Sequence, residues 1–532
     1  MIQTPEPDLA TTFDVIIVGG GSAGCLLAAR LSEEPGRRVL LVEAGEEASD
    51  PDIWKPAAWP ALQGRSYDRD YRTEPQPGTA GRVHHWARGK VVGGSSCLHA
   101  MGYMRGHAAD FEAWVEATGD ERWSWASLQP AFQAIEDHPL GGDGIHGKGG
   151  PMPVYMPGEE VSLVARAFIE AGAALGLARI PGHNSGQMIG VTPNSLNIRD
   201  GRRVTAADAW LTPEVRARKN LTIFTGTQVR RLVLSGSRVG SVEMLTPAGE
   251  TTVSAERILL CAGALESPAL LMRSGIGPQA VLAAANVACV LDSPDVGSNL
   301  QDHLLGAGNL YQARRPVPPS RLQHSESMAY MRAGDFAGTG QPEIVVGCGV
   351  APIVSDQFDA PEAGSAYSLL FGITHPTSRG TVRISGPDLG DRLVIDPAYL
   401  RTQRDRTLFR AALEAARAIG HHQDLSEWRE REMLPGPLGS PAEIDAFVAK
   451  AVITHHHPSG TCRMGKDGNA VVNARLQLNG LDNLFIVDAS VMPGLTAGPI
   501  HAAVLAIAET FVAADEAGRV DDAQARASGT PL

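Results

Sequence analysis

Short apolar runs and a glycine-rich turn alternate over the first 45 residues. Residues 13–18 (FDVIIV) are apolar and rich in β-branched side chains, which predicts a strand buried on both faces. Residues 25–34 have helical spacing, and residues 38–43 (RVLLVE) predict a second buried strand. A helix that joins two buried strands is a βαβ unit, so the chain is predicted to begin with a parallel sheet.

Similar patterns recur in the middle and near the end of the chain. Strand patterns cover residues 221–233, 239–245, 257–261 and 484–487. Helical patterns cover residues 107–137, 160–176, 404–419, 441–452 and 499–513. Residues 50–90 are irregular and rich in Pro, Gly, Trp and Arg, which favours a long ordered loop, and such loops are often lids.

Between about residues 308 and 400 the pattern changes to short alternating segments, which predict an antiparallel sheet. Because buried strands of the first type lie on both sides, the antiparallel part is predicted to be inserted into the first domain. The predicted fold class is α/β (α+β overall), a Rossmann-like domain with an inserted antiparallel-sheet domain. The predicted ranges are 12–158, 196–307 and 476–515 for the first domain, 159–195 and 308–475 for the second, and 516–532 for a polar tail.

Composition and charge limit the partners. The formal net charge of −13 over 532 residues argues against nucleic acid or an anionic membrane, because either needs a basic face. No stretch of 18 apolar residues and no secretory signal is visible, and the six cysteines form no CxxC pair. We therefore expect a cytoplasmic protein with reduced cysteines, a monomer or weak dimer, that acts on a small molecule.

A GxGxxG motif follows the first predicted strand. It consists of Gly19, Gly21 and Gly24, and Glu43 ends the second strand. The first glycine permits a tight turn, the second lets the backbone approach a pyrophosphate, and the third lets helix and strand pack closely. The helix N-terminus offers free N–H groups to the anion, and the carboxylate can accept both ribose hydroxyls. The motif predicts a bound dinucleotide, but it does not separate FAD from NAD.

Four further motifs follow along the chain. Residues 89–99 (GKVVGGSSCLH) carry glycines and serines in a row, which lets the main chain lie against a planar or phosphate-bearing ligand. The others are residues 263–277, residues 296–303 (VGSNLQDH), and the histidine segment 455–465 (HHHPSGTCRMG) with residues 487–490 and 499–501.

In this order, the five motifs closely resemble those of the glucose–methanol–choline (GMC) family of FAD-dependent oxidoreductases, over about residues 12–515. The resemblance implies FAD in the first domain, with Glu43 at the adenosine ribose, the 19–24 loop at the pyrophosphate and the Val229 backbone at the adenine. The cofactor-binding residues that it implies are Gly19, Gly21, Ser22, Ala23, Gly24, Glu43, Ala44, Arg88, Gly89, Val92, Gly93, Gly94, Ser96, His99, Ala100, Val229, Ala262, Gly263, Asp488, Ala489 and His501.

The position before His99 bears on how the cofactor is attached. In some members of the family a histidine there is bonded covalently to the flavin. Here that position is Leu98, so the resemblance implies non-covalent FAD. His99 itself stands where relatives often carry Asn, and a polar contact near the flavin is its expected role.

His457 is the predicted catalytic base. Oxidation of an alcohol by a flavin requires loss of the hydroxyl proton, and a neutral imidazole is a suitable base at neutral pH. The resemblance places His457 opposite the flavin and His501 at the second catalytic position, where it would hydrogen-bond the same hydroxyl. The helix that begins near Pro499 would also point its positive end at the flavin pyrimidine and favour the anionic reduced form.

The substrate site is predicted to comprise His455, His457, Pro499 and His501. In an extended segment His455 shares a face with His457, because side chains alternate, and Pro499 would form a rigid apolar wall opposite. A metal site in the histidine run is disfavoured because no second set of residues at ligand spacing accompanies it, so no metal is expected. A serine hydrolase is disfavoured because no GxSxG elbow is present.

The family's members act on different alcohols, so membership does not define the substrate. Long segments outside the motifs, such as HHWARGK and SRLQHSESMAYMRA, closely resemble one bacterial member that oxidises a hydroxymethyl group on an aromatic ring. The resemblance implies oxidation of a primary alcohol, with molecular oxygen as acceptor and hydrogen peroxide as product. The alternatives are a dehydrogenase with another electron acceptor and a lyase of the hydroxynitrile type on the same fold.

Overall fold

The computed structural model describes residues 13–528, with side-chain burial described as far as residue 516. Its strands of three or more residues are β1 Phe13–Val18, β2 Val39–Val42, β3 Gly190–Pro193, β4 Leu221–Phe224, β5 Gln228–Ser235, β6 Arg238–Thr246, β7 Gly249–Val253, β8 Ala255–Leu260, β9 Leu304–Ala313, β10 Ser325–Met331, β11 Ile344–Gly349, β12 Ala366–Ile373, β13 Thr381–Ile384, β14 Leu393–Asp396, β15 Arg429–Leu434, β16 Val452–Thr454 and β17 Leu484–Ile486. Two-residue strands pair Tyr71–Arg72 with His85–Trp86, Glu136–Asp137 with Met152–Pro153, Ile198–Arg199 with Arg202–Arg203, and Ile276–Gly277 with Leu291–Asp292.

The helices are α1 Ser22–Leu31, α2 Ala108–Thr118, α3 Trp125–Ile135, α4 Leu163–Ala174, α5 Ala206–Trp210, α6 Pro213–Arg216, α7 Gly263–Arg273, α8 Gln279–Ala284, α9 Gln403–His421, α10 Pro441–Ala451 and α11 His501–Ser528. Short 3₁₀ turns cover Pro51–Trp54, Pro56–Leu62, Pro77–Thr79, Gly94–Cys97, Glu121–Trp123, Gln423–Leu425 and Ala489–Val491. The irregular region predicted at residues 50–90 therefore consists of such turns and one two-residue strand pair.

A five-stranded parallel sheet forms the first layer. Its order is β4-β2-β1-β8-β17, and every neighbouring pair is parallel. β1 and β2 are buried on both faces along nearly their whole length, as their continuous apolar runs predict. α1 crosses between β1 and β2 and packs against α11, so the last helix of the chain covers the first βαβ unit.

An antiparallel sheet forms the second layer, in the order β15-β9-β12-β11-β10-β3, with β16 also paired to β9. Its strands lie between those of the parallel sheet in sequence, so the two sheets are interleaved along the chain. β9 begins at Leu304, ahead of the predicted boundary at residue 308, and the domain ranges otherwise stay predictions. α9 packs on β12 and β11 and covers one face of the sheet.

Two elements differ from the sequence predictions. The strand predicted over residues 221–233 is two strands, β4 and β5, in two different sheets, because the chain turns at Gly226 with a φ of 59°. The polar tail predicted from residue 516 continues α11 as far as Ser528, since its Ala, Glu, Gln and Arg residues are good helix formers despite their polarity. Residues 529–532 of that predicted tail lie outside the described residues.

Candidate active site

A cavity of about 690 Å³ lies between the two sheets and is lined by residues of both. This volume is well within the range of pockets that bind cofactors and small ligands. One end is bounded by Glu43 and Val229, and the other by the histidine segment 455–457 and Pro499. The cavity therefore reaches from the first βαβ unit to the predicted catalytic residues.

The turn between β1 and α1 has the tight geometry that the GxGxxG motif predicts. Gly19 has a φ of 108°, and a Cβ there would lie 2.5 Å from the carbonyl oxygen of Cys261. A Cβ at Gly24 would overlap the carbonyl oxygen of Gly19. Both positions therefore exclude a side chain, and the start of α1 can approach β1 and β8 closely.

Glu43 closes this end of the cavity. Its two carboxylate oxygens accept hydrogen bonds from the backbone N–H groups of Gly20 and Gly45, each at 2.8 Å. Burial raises the pKa of the Glu43 carboxyl, and these two N–H donors act in the opposite direction. Each oxygen retains a further lone pair, so the oriented carboxylate can also accept ribose hydroxyls.

A second glycine turn packs directly on the first. The N–H of Gly93 donates to the carbonyl of Gly20 at 2.8 Å. Gly94 has a φ of 56°, and a Cβ there would lie 2.6 Å from the Cα of Gly21. The two turns thus form one surface of backbone atoms along the cavity, without side chains between them and a ligand.

The N-terminus of α7 forms the third backbone element of the cavity wall. Asp488 accepts hydrogen bonds from the Gly263 N–H at 2.9 Å, from the Ser267 hydroxyl at 2.5 Å and from the Ser490 N–H at 2.8 Å. These bonds tie the start of α7 to the turn that follows β17. Burial raises the pKa of the Asp488 carboxyl, and the three donors oppose that shift.

The cavity wall includes most of the predicted cofactor residues, but not all of them. Gly24, Val92 and Gly93 do not line the cavity. Gly24 and Gly93 instead make the close backbone approaches described above, and Val92 is fully buried behind the second turn. These three residues shape the wall rather than touch its contents. The others line it: Gly19, Gly21, Ser22, Ala23, Glu43, Ala44, Arg88, Gly89, Gly94, Ser96, His99, Ala100, Val229, Ala262, Gly263, Asp488, Ala489 and His501.

Asp302 holds the histidine segment in place. Its carboxylate accepts hydrogen bonds from the backbone N–H of His457 at 2.7 Å, the Thr454 hydroxyl at 2.6 Å and the Tyr399 hydroxyl at 2.5 Å. Burial raises the pKa of Asp302 to about 6, against the effect of these donors. The segment is not extended throughout, because His456 adopts a left-handed φ of 61°.

The rings of His455 and His457 lie against each other despite this turn, with centroids 4.4 Å apart. The Nδ1 of His457 is 3.0 Å from the Nδ1 of His303, whose Nε2 lies 2.8 Å from the carbonyl oxygen of Thr374. Burial, together with the neighbouring His455 and His303, holds the pKa of His457 well below its usual value. Burial likewise lowers the pKa of His455 to about 4. Both imidazoles are therefore neutral at pH 7.

His501 lies beside His99 rather than His457. The two rings are 4.9 Å apart, and the Nδ1 of His501 is 3.3 Å from the Oδ1 of Asn197. No hydrogen bond or ring contact joins His501 to His457 within residues 13–528. Burial lowers the pKa of His501 to about 4 and the pKa of His99 well below its usual value. The Nε2 atoms of both rings are buried and lack a hydrogen-bond partner in the described structure.

Pro499 forms part of the wall near His455. It lines the main cavity, and both residues also border a small adjoining cavity with His303. A Cβ at Gly102 would lie 3.4 Å from the Cγ of Pro499, so the ring packs closely on the chain that follows His99. His455, His457, Pro499 and His501 thus all line one cavity, and the direct neighbours of His501 there are His99 and Asn197.

Several cavity residues were absent from the sequence prediction. Arg69 and Tyr71 line the wall and pair with Glu266, and Asn194 and Ser325 contribute polar groups from the antiparallel sheet. Their signals are weak, because they stand singly on strands or loops rather than in a motif. His303, which borders the small adjoining cavity, belongs to the VGSNLQDH motif, but its contact with His457 is visible only in the fold.

Residues 13–528 hold neither a cluster of metal-ligating side chains nor a helix suited to crossing a membrane. No group of three or more His, Cys, Asp or Glu side chains is arranged to hold a metal ion in that part of the chain. None of the described helices has the length and apolar character needed to cross a membrane. All six cysteines are free, and five of them are buried.

Comparison with known proteins agrees with this architecture. The chain is 68% identical over 499 residues to the pyridoxine 4-oxidase of Microbacterium luteolum, covering 94% of this chain and 98% of that protein. It is 35% identical over 532 residues to the oxygen-dependent choline dehydrogenase of Paraburkholderia phymatum, covering 94% and 92%. The crystal structure of pyridoxine 4-oxidase from Mesorbium loti superimposes with a TM-score of 0.94 at 75% identity, covering 94% of this chain and 98% of that one.

Sequence models of one family match both halves of the chain. The models described as GMC oxidoreductase match residues 13–305 and residues 376–508. The matched residues include both glycine turns, the histidine segment 455–457 and the start of α11. The chain therefore belongs to the GMC oxidoreductase family.

Proposed function

We propose that the chain oxidises the 4-hydroxymethyl group of pyridoxine to the aldehyde pyridoxal, with molecular oxygen reduced to hydrogen peroxide. This proposal rests chiefly on a half-buried, neutral His457 that lines the cavity beside His455 and Pro499. The substrate follows from the similarity to two pyridoxine 4-oxidases that each cover 94% of this chain. GMC oxidoreductases use FAD, so the enzyme is an FAD-dependent alcohol oxidase.

The cavity fits FAD. Two glycine turns and the start of α7 provide a backbone cradle that a Cβ at Gly94 would fill, and Glu43 stands at the adenosine end. The 19–24 loop would hold the pyrophosphate, and Val229 would lie at the adenine. When bound, FAD supplies the hydride acceptor for the oxidation of the carbinol carbon.

His457 is the proposed general base. Its pKa lies well below the usual value, so the imidazole is unprotonated and ready to accept a proton at neutral pH. The proton moves from the 4-hydroxymethyl oxygen to a ring nitrogen of His457 as the carbinol C–H bond breaks. Since Asp302 fixes the His457 backbone, the base is held at the cavity wall before the substrate arrives.

His455 and Pro499 are the proposed walls of the substrate site. The His455 ring lies on His457, and Pro499 borders the same space from the chain before α11. A planar pyridine ring stacks well on an imidazole and on a proline ring. The two residues would therefore orient the hydroxymethyl group toward His457.

His99 and His501 are proposed to face the flavin. His99 accepts a hydrogen bond from the Met101 N–H at 2.8 Å through Nδ1, so its Nε2 carries the proton. Asn197 uses its NH₂ on the Pro153 carbonyl, so its Oδ1 accepts from the Nδ1–H of His501. The pair thus offers one buried donor and one buried acceptor, which suits a flavin edge of alternating polarity. The substrate contact expected for His501 stays a prediction.

An anaerobic mixing experiment tests the proposed reaction. Purified FAD-loaded protein is mixed with pyridoxine while the flavin absorption is followed, and oxygen is then admitted. We expect bleaching with formation of pyridoxal, then recovery of the colour with hydrogen peroxide. Bleaching without recovery in air would indicate a different electron acceptor, and no bleaching would refute pyridoxine as substrate.

Replacement of the base tests the role of His457. In His457→Ala the rate of flavin reduction should fall by about 10²–10⁴, the usual contribution of a general base. The FAD content should stay at the wild-type level, because Glu43 and the glycine turns are untouched. His421→Ala is the matched control, since that side chain is 47% exposed at the end of α9. Equal rates for His457→Ala and the control would remove His457 from the role.

FAD is proposed to be bound non-covalently. Leu98 stands where a linking histidine occurs in some relatives, and an alkyl side chain cannot bond to the flavin. Acid precipitation of the native protein should therefore leave all yellow colour in the supernatant. Colour in the pellet would show a covalent link, and its peptide mass would identify the residue.

Assembly and location stay predictions of the sequence. The free and mostly buried cysteines support a reducing compartment, in agreement with the expected cytoplasmic location. A monomer or weak dimer is expected, and sedimentation across a range of concentrations would measure the association.

A further inference from the structure

His303 lies between the proposed base and a backbone carbonyl. Its Nε2 is 2.8 Å from the carbonyl oxygen of Thr374, and its Nδ1 is 3.0 Å from the Nδ1 of His457. A carbonyl oxygen only accepts, so the Nε2 of His303 carries the proton and its Nδ1 is an acceptor. The Nδ1–H of His457 then donates to His303, and the Nε2 of His457 is the unprotonated nitrogen.

We propose that His303 is the positioning residue of the reaction: as an uncharged acceptor, it selects the His457 tautomer with a basic Nε2 and keeps that nitrogen weakly basic. The proposal rests on the proposed function, because it takes His457 as the base. His303 itself touches neither the substrate nor the cofactor in this assignment and acts through His457.

The anchor of this arrangement is rigid. Thr374 follows the last residue of β12, and its N–H donates to the Glu343 carbonyl at 3.1 Å. Its hydroxyl donates to the Pro342 carbonyl at 2.7 Å. With both backbone and side chain held, the Thr374 carbonyl offers His303 one fixed acceptor. His303 therefore cannot move its proton from Nε2 to Nδ1, or flip its ring, without losing the hydrogen bond to Thr374.

The neutrality of the partner separates this site from a histidine–carboxylate pair. A carboxylate on the ring N–H of a catalytic histidine stabilises the imidazolium that forms when the base takes a proton. Here the nearby carboxylate of Asp302 is bonded to the His457 backbone, Thr454 and Tyr399, not to the ring. The ring meets another neutral imidazole, because burial lowers the pKa of His303 to about 3.

Most of the other titratable groups around the two rings oppose protonation. After burial, His455, His303, Arg88 and His456 lower the pKa of His457. After burial, His455 and His375 lower the pKa of His303, whereas the hydrogen bond to the Thr374 carbonyl and the charge of Asp110 raise it. The Oδ1 of Asp110 is already engaged by His375 at 2.9 Å and Gln341 at 2.7 Å. Hence, among residues 13–528, no carboxylate bonds to either ring of the His457–His303 pair.

Three substitutions of His303 separate an acceptor role from simple packing. His303→Asn supplies a neutral acceptor oxygen, His303→Leu has a similar size without an acceptor, and His303→Asp supplies a charged acceptor. For each variant, FAD content is measured and the rate of flavin reduction by pyridoxine is followed against pH at saturating substrate. The pH effect of the substrate's own ionisation is common to all variants, so differences between profiles report on the enzyme.

The expected results differ for the three variants. His303→Asn should retain the rate within about 10-fold and keep the acid limb of the profile below pH 6.5, like the wild type. His303→Leu should lose about 10²-fold, the scale of a misplaced catalytic group. His303→Asp should move the acid limb upward by 1–3 pH units, roughly the shift that an adjacent opposite charge produces.

Two outcomes overturn the proposal: equal rates for the Asn and Leu variants, or an acid limb in His303→Asp that coincides with the wild type. If the Asp variant does not fold, the Asn and Leu pair still decides the question. The proposed function fails independently, through absence of bleaching by pyridoxine or normal reduction of the His457→Ala protein. The two failures are thus measured on different variants.

Discussion

Asp302 and His303 are adjacent in sequence but hold different parts of the base segment. Asp302 binds its backbone at His457 and its side chain at Thr454, whereas His303 contacts the ring of His457. In the proposed mechanism, separate residues therefore control the position and the protonation of His457, and substitutions of the two should have distinguishable effects.

The wall residue His455 gives a prediction at this scale. Its ring contacts His457 and lines the cavity, and no side-chain hydrogen bond holds it in the described structure. His455→Ala should therefore raise the KM for pyridoxine about 10-fold or more through loss of a stacking surface, while FAD stays bound. Steady-state kinetics on His455→Ala and His455→Phe measure this. An unchanged KM in the Ala variant, or no recovery in the Phe variant, would contradict a stacking role.

At the scale of elements, a helix or strand could be predicted from the sequence where the residues that determine it are close together along the chain. The first βαβ unit and its glycine turn were predicted because their determinants lie within residues 13–43. The single strand predicted over 221–233 was wrong, since one glycine at position 226 redirects an otherwise continuous apolar run. The periodicity of apolar residues predicts local secondary structure, but it does not predict a turn of the chain that depends on one backbone angle.

The contact between the two glycine turns gives a second prediction. Gly94→Ala should weaken FAD binding by more than 10-fold, because its Cβ would lie 2.6 Å from the Cα of Gly21 and force the turns apart. Gly236→Ala is the matched control, since its φ of 60° is close to the 56° of Gly94 but nothing lies within 4 Å of the added Cβ. The left-handed conformation costs both variants about 1–2 kcal/mol. Equal FAD affinities in a titration would show that the turns tolerate separation.

At the scale of the whole molecule, the site brings together residues that the sequence separates widely. His303 and His457 are 154 positions apart, and the Thr374 carbonyl is 71 positions from His303. Local motifs named the base and the cofactor loops, but they carry no information about partners on other strands. For the same reason the contacts of His501 with His99 and Asn197 were not predicted, while its expected contact with the substrate hydroxyl stays a prediction.

The buried histidines also make the stability of the molecule depend on pH. His303, His455 and His501 have pKa values of about 3, 4 and 4, below the usual value of about 6.5 in an unfolded chain. At pH values between the folded and the unfolded pKa of each histidine, the unfolded state binds more protons than the folded state. The free energy of unfolding therefore decreases as the pH falls through this range. Each such group contributes a slope of about 1.4 kcal/mol per pH unit.

Thermal unfolding of the FAD-free protein between pH 7.5 and 4.5 tests this coupling. The unfolding temperature should stay level down to about pH 6.5 and then fall steeply. Replacement of one contributor, in His455→Phe, should make the fall shallower without altering the level at pH 7.5. A protein that becomes more stable on acidification from pH 6.5 to 5 would contradict the depressed pKa values.

The pairing of β16 with β9 has a consequence for how this enzyme could diversify. Ile453 and Thr454 pair with Leu305 and Leu304, so the base segment and its two holding residues are fastened to each other by one short ladder. Met328 and Leu370, which line the cavity, stand on other strands of the same sheet. Mutations at these positions can reshape the pocket for a new alcohol without altering the proposed base and the residues that hold it. Substrate specificity can therefore change during evolution while the chemical mechanism is conserved.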